Sequence, residues 1–117
     1  MASPAQPSIP FGNDVAAAYQ AAYDNLDKAY WEASDIDSKD FIHGTMSALS
    51  EIISDTDEQD LAANTALFEA LEPKIKAANQ ALNKIKEEIA KITKNIATAG
   101  MVVAAINKAV SMFPGLV

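Results

Sequence analysis

Few side chains here have types and spacing that suit chemistry, and they form three groups. His43 is the only histidine. Two carboxylate clusters repeat one pattern twenty residues apart, Ser34-Asp35-Ile36-Asp37-Ser38-Lys39-Asp40-Phe41 and Ser54-Asp55-Thr56-Asp57-Glu58-Gln59-Asp60-Leu61. Tyr23, Tyr30 and Trp31 form a run of aromatics. A lone imidazole can move a proton or fill one coordination position. A zinc site built on it needs carboxylates, and a catalytic dyad needs a nucleophile that no motif supplies. Clustered carboxylates suit calcium or magnesium, but neither cluster has the glycine and downstream bidentate glutamate of an EF-hand loop. Ser, Thr and Asp at a helix start are what capping and the helix dipole favour, so that is their expected role. The aromatics offer a stacking platform, although at helical spacing they are expected to line a core or groove. There is no glycine-rich phosphate loop, no Glu-x-x-His pair and no nucleophile elbow, so no enzyme, metal or cofactor is expected.

The elements that must position these groups are helices. From Asp57 to Phe113 apolar residues recur every three and four positions in two phases. One phase includes Ile75, Leu82, Ile89, Ile96 and Val103, the other Leu71, Ala78, Ile85, Ile92 and Ile106, and only Asn64 interrupts the pattern. A repeat held that long predicts helices burying a narrow seam. Isoleucine in both phases favours a bundle of three or four helices over a two-stranded zipper. Upstream, Asn13 is the expected cap of a helix over 14–33 that buries Val15, Tyr19, Ala22, Leu26, Ala29 and Ala33. Asp37 or Ser38 is the expected cap of a second helix over 39–54. Thr56 and Gln59 are placed to form a capping box for a third helix over 57–113. The expected fold is all-α, an antiparallel helical bundle whose long heptad-patterned C-terminal helix is kinked or broken near Pro73, with a second break available near Gly100. Residues 1–12, which hold three prolines and no charge, read as an extended tail, and residues 13–117 as a single helical bundle domain.

The chain has 117 residues, no cysteine and a net charge of −7, with charge of opposite sign in its two parts. Residues 1–72 hold 14 acidic and 2 basic side chains, and residues 73–117 hold 2 acidic and 7 basic ones. The two parts are electrostatic complements, which suits pairing within the chain or between subunits. Every basic residue is lysine, so the bidentate fork that reads phosphate or guanine is missing and no nucleic acid is expected. No secretory signal is recognisable, which makes the cytoplasm the default compartment, with export by a route that needs no such signal left open.

A non-enzymatic interaction or assembly protein is the leading expectation. It would act through a seam of Ile75, Leu82, Ile85, Ile89, Ile92, Ile96, Val103 and Ile106, with a second copy, most simply as a dimer, or another helical protein as partner. The alternative is membrane activity. Residues 97–117 carry one charge, Lys108, and follow a helix bearing Lys84, Lys86, Lys91 and Lys94. This succession loosely resembles the insertion regions of helical pore-forming toxins, which implies an apolar helix hidden until it meets lipid. Pro114, Gly115 and the mid-helix Lys108 count against a true membrane span.

Overall fold

The computed structural model describes residues 9–116. Among these are four helices and no strand: α1 (Gly12–Glu32), α2 (Ile36–Thr56), α3 (Thr65–Ile92) and α4 (Ile96–Ser111). Residues 1–8 of the expected tail lie outside the described residues. α1 packs on α2 and α4, and α3 packs on the same two helices, so α1 and α3 face each other across the core.

The stripe expected on α1 is the stripe it buries, from Val15 through Ala33. Its start differs from expectation, because α1 begins at Gly12 with no side-chain cap. Asn13 instead accepts a hydrogen bond from the Glu58 N–H at 2.7 Å, steadying the loop after α2, where Glu58 has a φ of 60°. Gly12 donates to Gln59 O at 3.1 Å, and a Cβ built on it would lie 2.0 Å from Thr56 O. Only glycine lets α1 approach the end of α2 this closely.

α2 is capped by Asp35, two residues before the nearer expected cap. Its carboxylate accepts from the Ser38 N–H at 3.0 Å, and this bond holds its pKa below the ordinary aspartate value. The expected capping box at Thr56 does not form. Thr56 is fully buried at the end of α2, and its hydroxyl donates to Ile52 O. Residues 57–64 form turns anchored by buried Leu61. Asn64, the one polar break in the heptads, caps α3 by accepting from the Leu67 N–H.

The long C-terminal helix is divided, and at neither expected place. α3 runs uninterrupted through Pro73, whose ring lies on the exposed face. Gly100 lies inside α4. The break comes at Thr93–Asn95, where the Thr93 N–H closes α3 on Ile89 O and the Asn95 side chain caps α4 by accepting from the Ala97 and Thr98 N–H groups. Capping satisfies donors that a helix start otherwise leaves open, so Asn95 outweighs the weaker signal of an exposed glycine.

Across the core, the Tyr19 hydroxyl donates to Asn79 Oδ1 at 2.8 Å, and Asn79 Nδ2 donates to Leu116 O at 2.9 Å. Burial pushes the Tyr19 phenol well above its ordinary pKa, and its hydrogen bond to Asn79 opposes this only in part.

Gly100→Ala should stabilise the chain by roughly 0.5–1 kcal/mol, since nothing lies within 4 Å of an added Cβ, while Asn95→Ala should cost about 1 kcal/mol. Urea unfolding reads both, and a destabilising Gly100→Ala would mean that the chain turns at Gly100 after all. For Tyr19, the folded-state pKa exceeds the unfolded value of about 10, so its contribution is complete below pH ~10 and is lost as pH rises above it. Tyr19→Phe should lower stability at neutral pH by about 1–3 kcal/mol, because Asn79 loses its donor. It should also remove up to about 1.4 kcal/mol per pH unit of the alkaline decline seen in the wild type.

Candidate interaction surfaces

The eight seam residues are divided by the fold. Ile75, Leu82, Ile85 and Ile106 are fully buried, and Ile89 and Ile92 are nearly so, all within one core cluster. Val103 is half-buried, and Ile96 is 88% exposed. Six of the eight therefore pack inside the chain's own core, because the break at Thr93–Asn95 brings α4 back onto α1 and α3.

Exposed apolar surface gathers instead at the end of the bundle where α1 closes, α2 opens and α3 hands over to α4. Trp31 and Ile36 are each 73% exposed there, with Ile96 on the same end. That end is held together by Glu32, whose two carboxylate oxygens accept from the Thr93 hydroxyl at 2.8 Å and the Thr98 hydroxyl at 2.9 Å. Beside it Lys39 donates to Tyr30 O at 2.7 Å, and its ammonium lies 4.6 Å from the centre of the Tyr30 ring and 5.6 Å from that of Trp31. The Trp31 ring meets the edge of Tyr30, with centroids 5.2 Å apart, and is fixed in position without being covered.

The other chemical candidates are dispersed. His43 is exposed on α2, with its ring 6.3 Å from that of Tyr30. Asp35 caps α2 at one end of it, while Asp57 closes the other and Asp60 accepts from the Ala63 N–H beyond. Among the described residues no three His, Asp or Glu side chains come together as a metal site requires. The expected pairing of acidic and basic parts is confined, among the described residues, to Lys74, which meets Glu51 and Asp55. The Glu51 hydrogen bond keeps the Lys74 ammonium above its ordinary pKa. Lys86 donates to the neutral side chain of Asn107.

One feature escaped the sequence reading. Asn79 looks like one more outward polar residue of α3, although it lies four positions from Ile75 and is fully buried. The exposed positions of α4 run from Ile96 through Gly100, Met101 and Ala104 to Lys108, the one charge that the sequence shows there. No helix among the described residues is long and apolar enough to cross a membrane. No family model matches the chain, and no curated protein or solved structure is similar to it.

Proposed function

We propose that this is a non-enzymatic helical interaction protein that meets its partner at the end of the bundle bearing Trp31, Ile36 and Ile96. The observation that supports this most is their exposure, at 73%, 73% and 88%, the highest of the large apolar residues described, with Phe11 at 69% and Met101 at 50% lying elsewhere. Covering the open part of Trp31 alone is worth roughly 3 kcal/mol before ordering entropy is subtracted. Ile96, with half-buried Val103, is the part of the heptad seam that stays within a partner's reach, and the rest of the seam serves to build the platform. The helices in this reading run alternately up and down. Glu32 at the end of α1 bonds Thr98 at the start of α4, and Lys74 early in α3 pairs with Asp55 late in α2. A heptad-patterned core of this kind fixes the ends of four helices in one plane, where loops and caps can present apolar side chains.

A second reading is membrane activity, favoured by the outer face of α4, whose one charge is Lys108, together with a tryptophan at the bundle's end. One set of measurements separates the two. Wild-type protein used as bait in an extract of its own cells should retain a partner in stoichiometric amount. The Trp31→Ser, Ile36→Ser, Ile96→Ser variant should lose that partner while keeping its helix content. Trp31 is the only tryptophan. Its emission should shift to the blue with the partner and stay unchanged with vesicles of neutral or anionic lipid. A blue shift with vesicles and no retained partner would replace the interaction reading with the membrane one.

A further inference from the structure

The apolar phase of α3 does not stop at the break. Counted along a continuous helix, Leu82, Ile85, Ile89 and Ile92 are followed by Ile96, Ala99, Val103, Ile106 and Val110. The closed chain seats α4 on a different side. It buries Thr98, Val102, Ile106 and Ala109, leaving Ile96 88% exposed and Val103 and Val110 half-buried. α4 therefore carries two apolar faces, and the closed chain fills one of them. Thr93, Lys94 and Asn95 include neither proline nor glycine, so nothing in the sequence of the break forbids a helix. What holds the turn is polar and local: the Asn95 cap, and the Thr93 and Thr98 hydroxyls on Glu32, itself an exposed residue.

We propose that two copies of this chain exchange α4 through this hinge. Thr93–Asn95 straighten, α3 and α4 become one helix, and α4 of each copy takes the α4 seat on α1 and α3 of the other. The seat itself names its occupant, because the contacts that α4 makes in the closed chain are remade with the partner. It also places the axis. Lys86 donates to Asn107 in the closed chain. Ile96 lies ten residues after Lys86 and Ala97 ten before Asn107, so two straight antiparallel helices that keep this contact cross at Ile96. The most exposed of the large apolar side chains described then meets its own copy at the twofold axis, and the two Trp31 ends face each other across it. The dimer gains this contact over two closed monomers. A lone straightened chain leaves its stripe in water, so the dilute monomer stays closed, and the exchanged dimer accumulates on warming at high concentration, where α4 leaves its seat and finds a partner's. The inference names a second copy as the partner of the Trp31 end, and so rests on the reading of that end as an interaction surface.

The chain has no cysteine, so single thiols report without interference. Lys86→Cys and Asn107→Cys chains are mixed in equal amounts, concentrated, warmed until partly unfolded, cooled, diluted and treated with a short bismaleimide. Exchange should link one variant to the other. Neither variant should link to itself, because in the dimer each of these positions is about 30 Å from its own copy. On the wild type after the same warming, light scattering should show a dimer whose Trp31 emission is shifted to the blue. Lys94→Pro should weaken that dimer at least a hundredfold, since proline breaks the straight helix. The closed chain accepts it, because Thr93, with φ −129° and ψ 140°, already has the backbone preferred before proline. Asn95→Ala removes a cap that only the closed chain uses and should strengthen the dimer about tenfold. Circular dichroism checks the fold of each variant. Folded chains that give no mixed link overturn the proposal, as does a dimer that Lys94→Pro leaves unweakened. Where that happens and the wild-type bait still retains a different protein, the exchange alone has failed. Where the bait retains nothing, the reading of the Trp31 end fails with it.

Discussion

Three residues, Thr93, Lys94 and Asn95, let this chain cover its own apolar stripe. Without a break there, a helix from Thr65 to Ser111 would extend about 70 Å, while α1 and α2 at 21 residues each reach only about 32 Å. Much of the stripe would face water, a contiguous patch larger than monomers usually expose. The break converts that surplus into a fourth helix. Glu32 spans it, because the two hydroxyls it binds lie on either side, at Thr93 and Thr98. A carboxylate on α1 thus holds the end of α3 and the start of α4 together, in bonds stronger than neutral ones.

Once α4 is folded back, the core needs a register. Alanines on α1 and isoleucines on α3 pack in several neighbouring alignments at similar cost, since hydrophobic contact is not directional. The Tyr19–Asn79 bond is directional, and it is fully buried. A shift of either helix would strand a phenol and an amide away from water, at a cost of roughly 1–3 kcal/mol each. Asn79 also binds Leu116 O, so the same amide secures the segment after α4. Gly12 against Thr56 O and the Asn13 bond to Glu58 tie the start of α1 to the end of α2. The apolar seam supplies most of the gain from burial, and these few polar contacts choose among its alignments.

Much of this was legible in the sequence. The α1 stripe is the buried stripe, and on α3 the heptad positions from Leu71 to Ile92 are all buried, because a helix facing one core must repeat near 3.6 residues. The pattern misled where it continued past the break. On α4 the buried residues are Thr98, Val102, Ile106 and Ala109, so of these only Ile106 belongs to the heptad phases, and Ile96 is left outside. An alanine-rich helix with almost no charge offers apolar residues on every side, and its sequence does not say which side faces in. Asn64 and Asn95 both cap helices and both read as polar interruptions or outward positions, although asparagine is among the strongest N-cap residues. The exposed end formed by Trp31, Ile36 and Ile96 could not be read at all, because it exists only once three helix ends are brought together.

The fold-back of α4 is the claim on which the rest stands, and Phe68 and Phe113 report on it directly. Their ring centroids lie 5.8 Å apart, whereas in an unbroken helix the two would be separated by about 68 Å. A nuclear Overhauser measurement between the two rings, on labelled protein diluted into unlabelled protein so that only contacts within one chain register, should give a strong cross-peak. Its absence, or its appearance only between chains, would mean that α4 does not return to its own bundle.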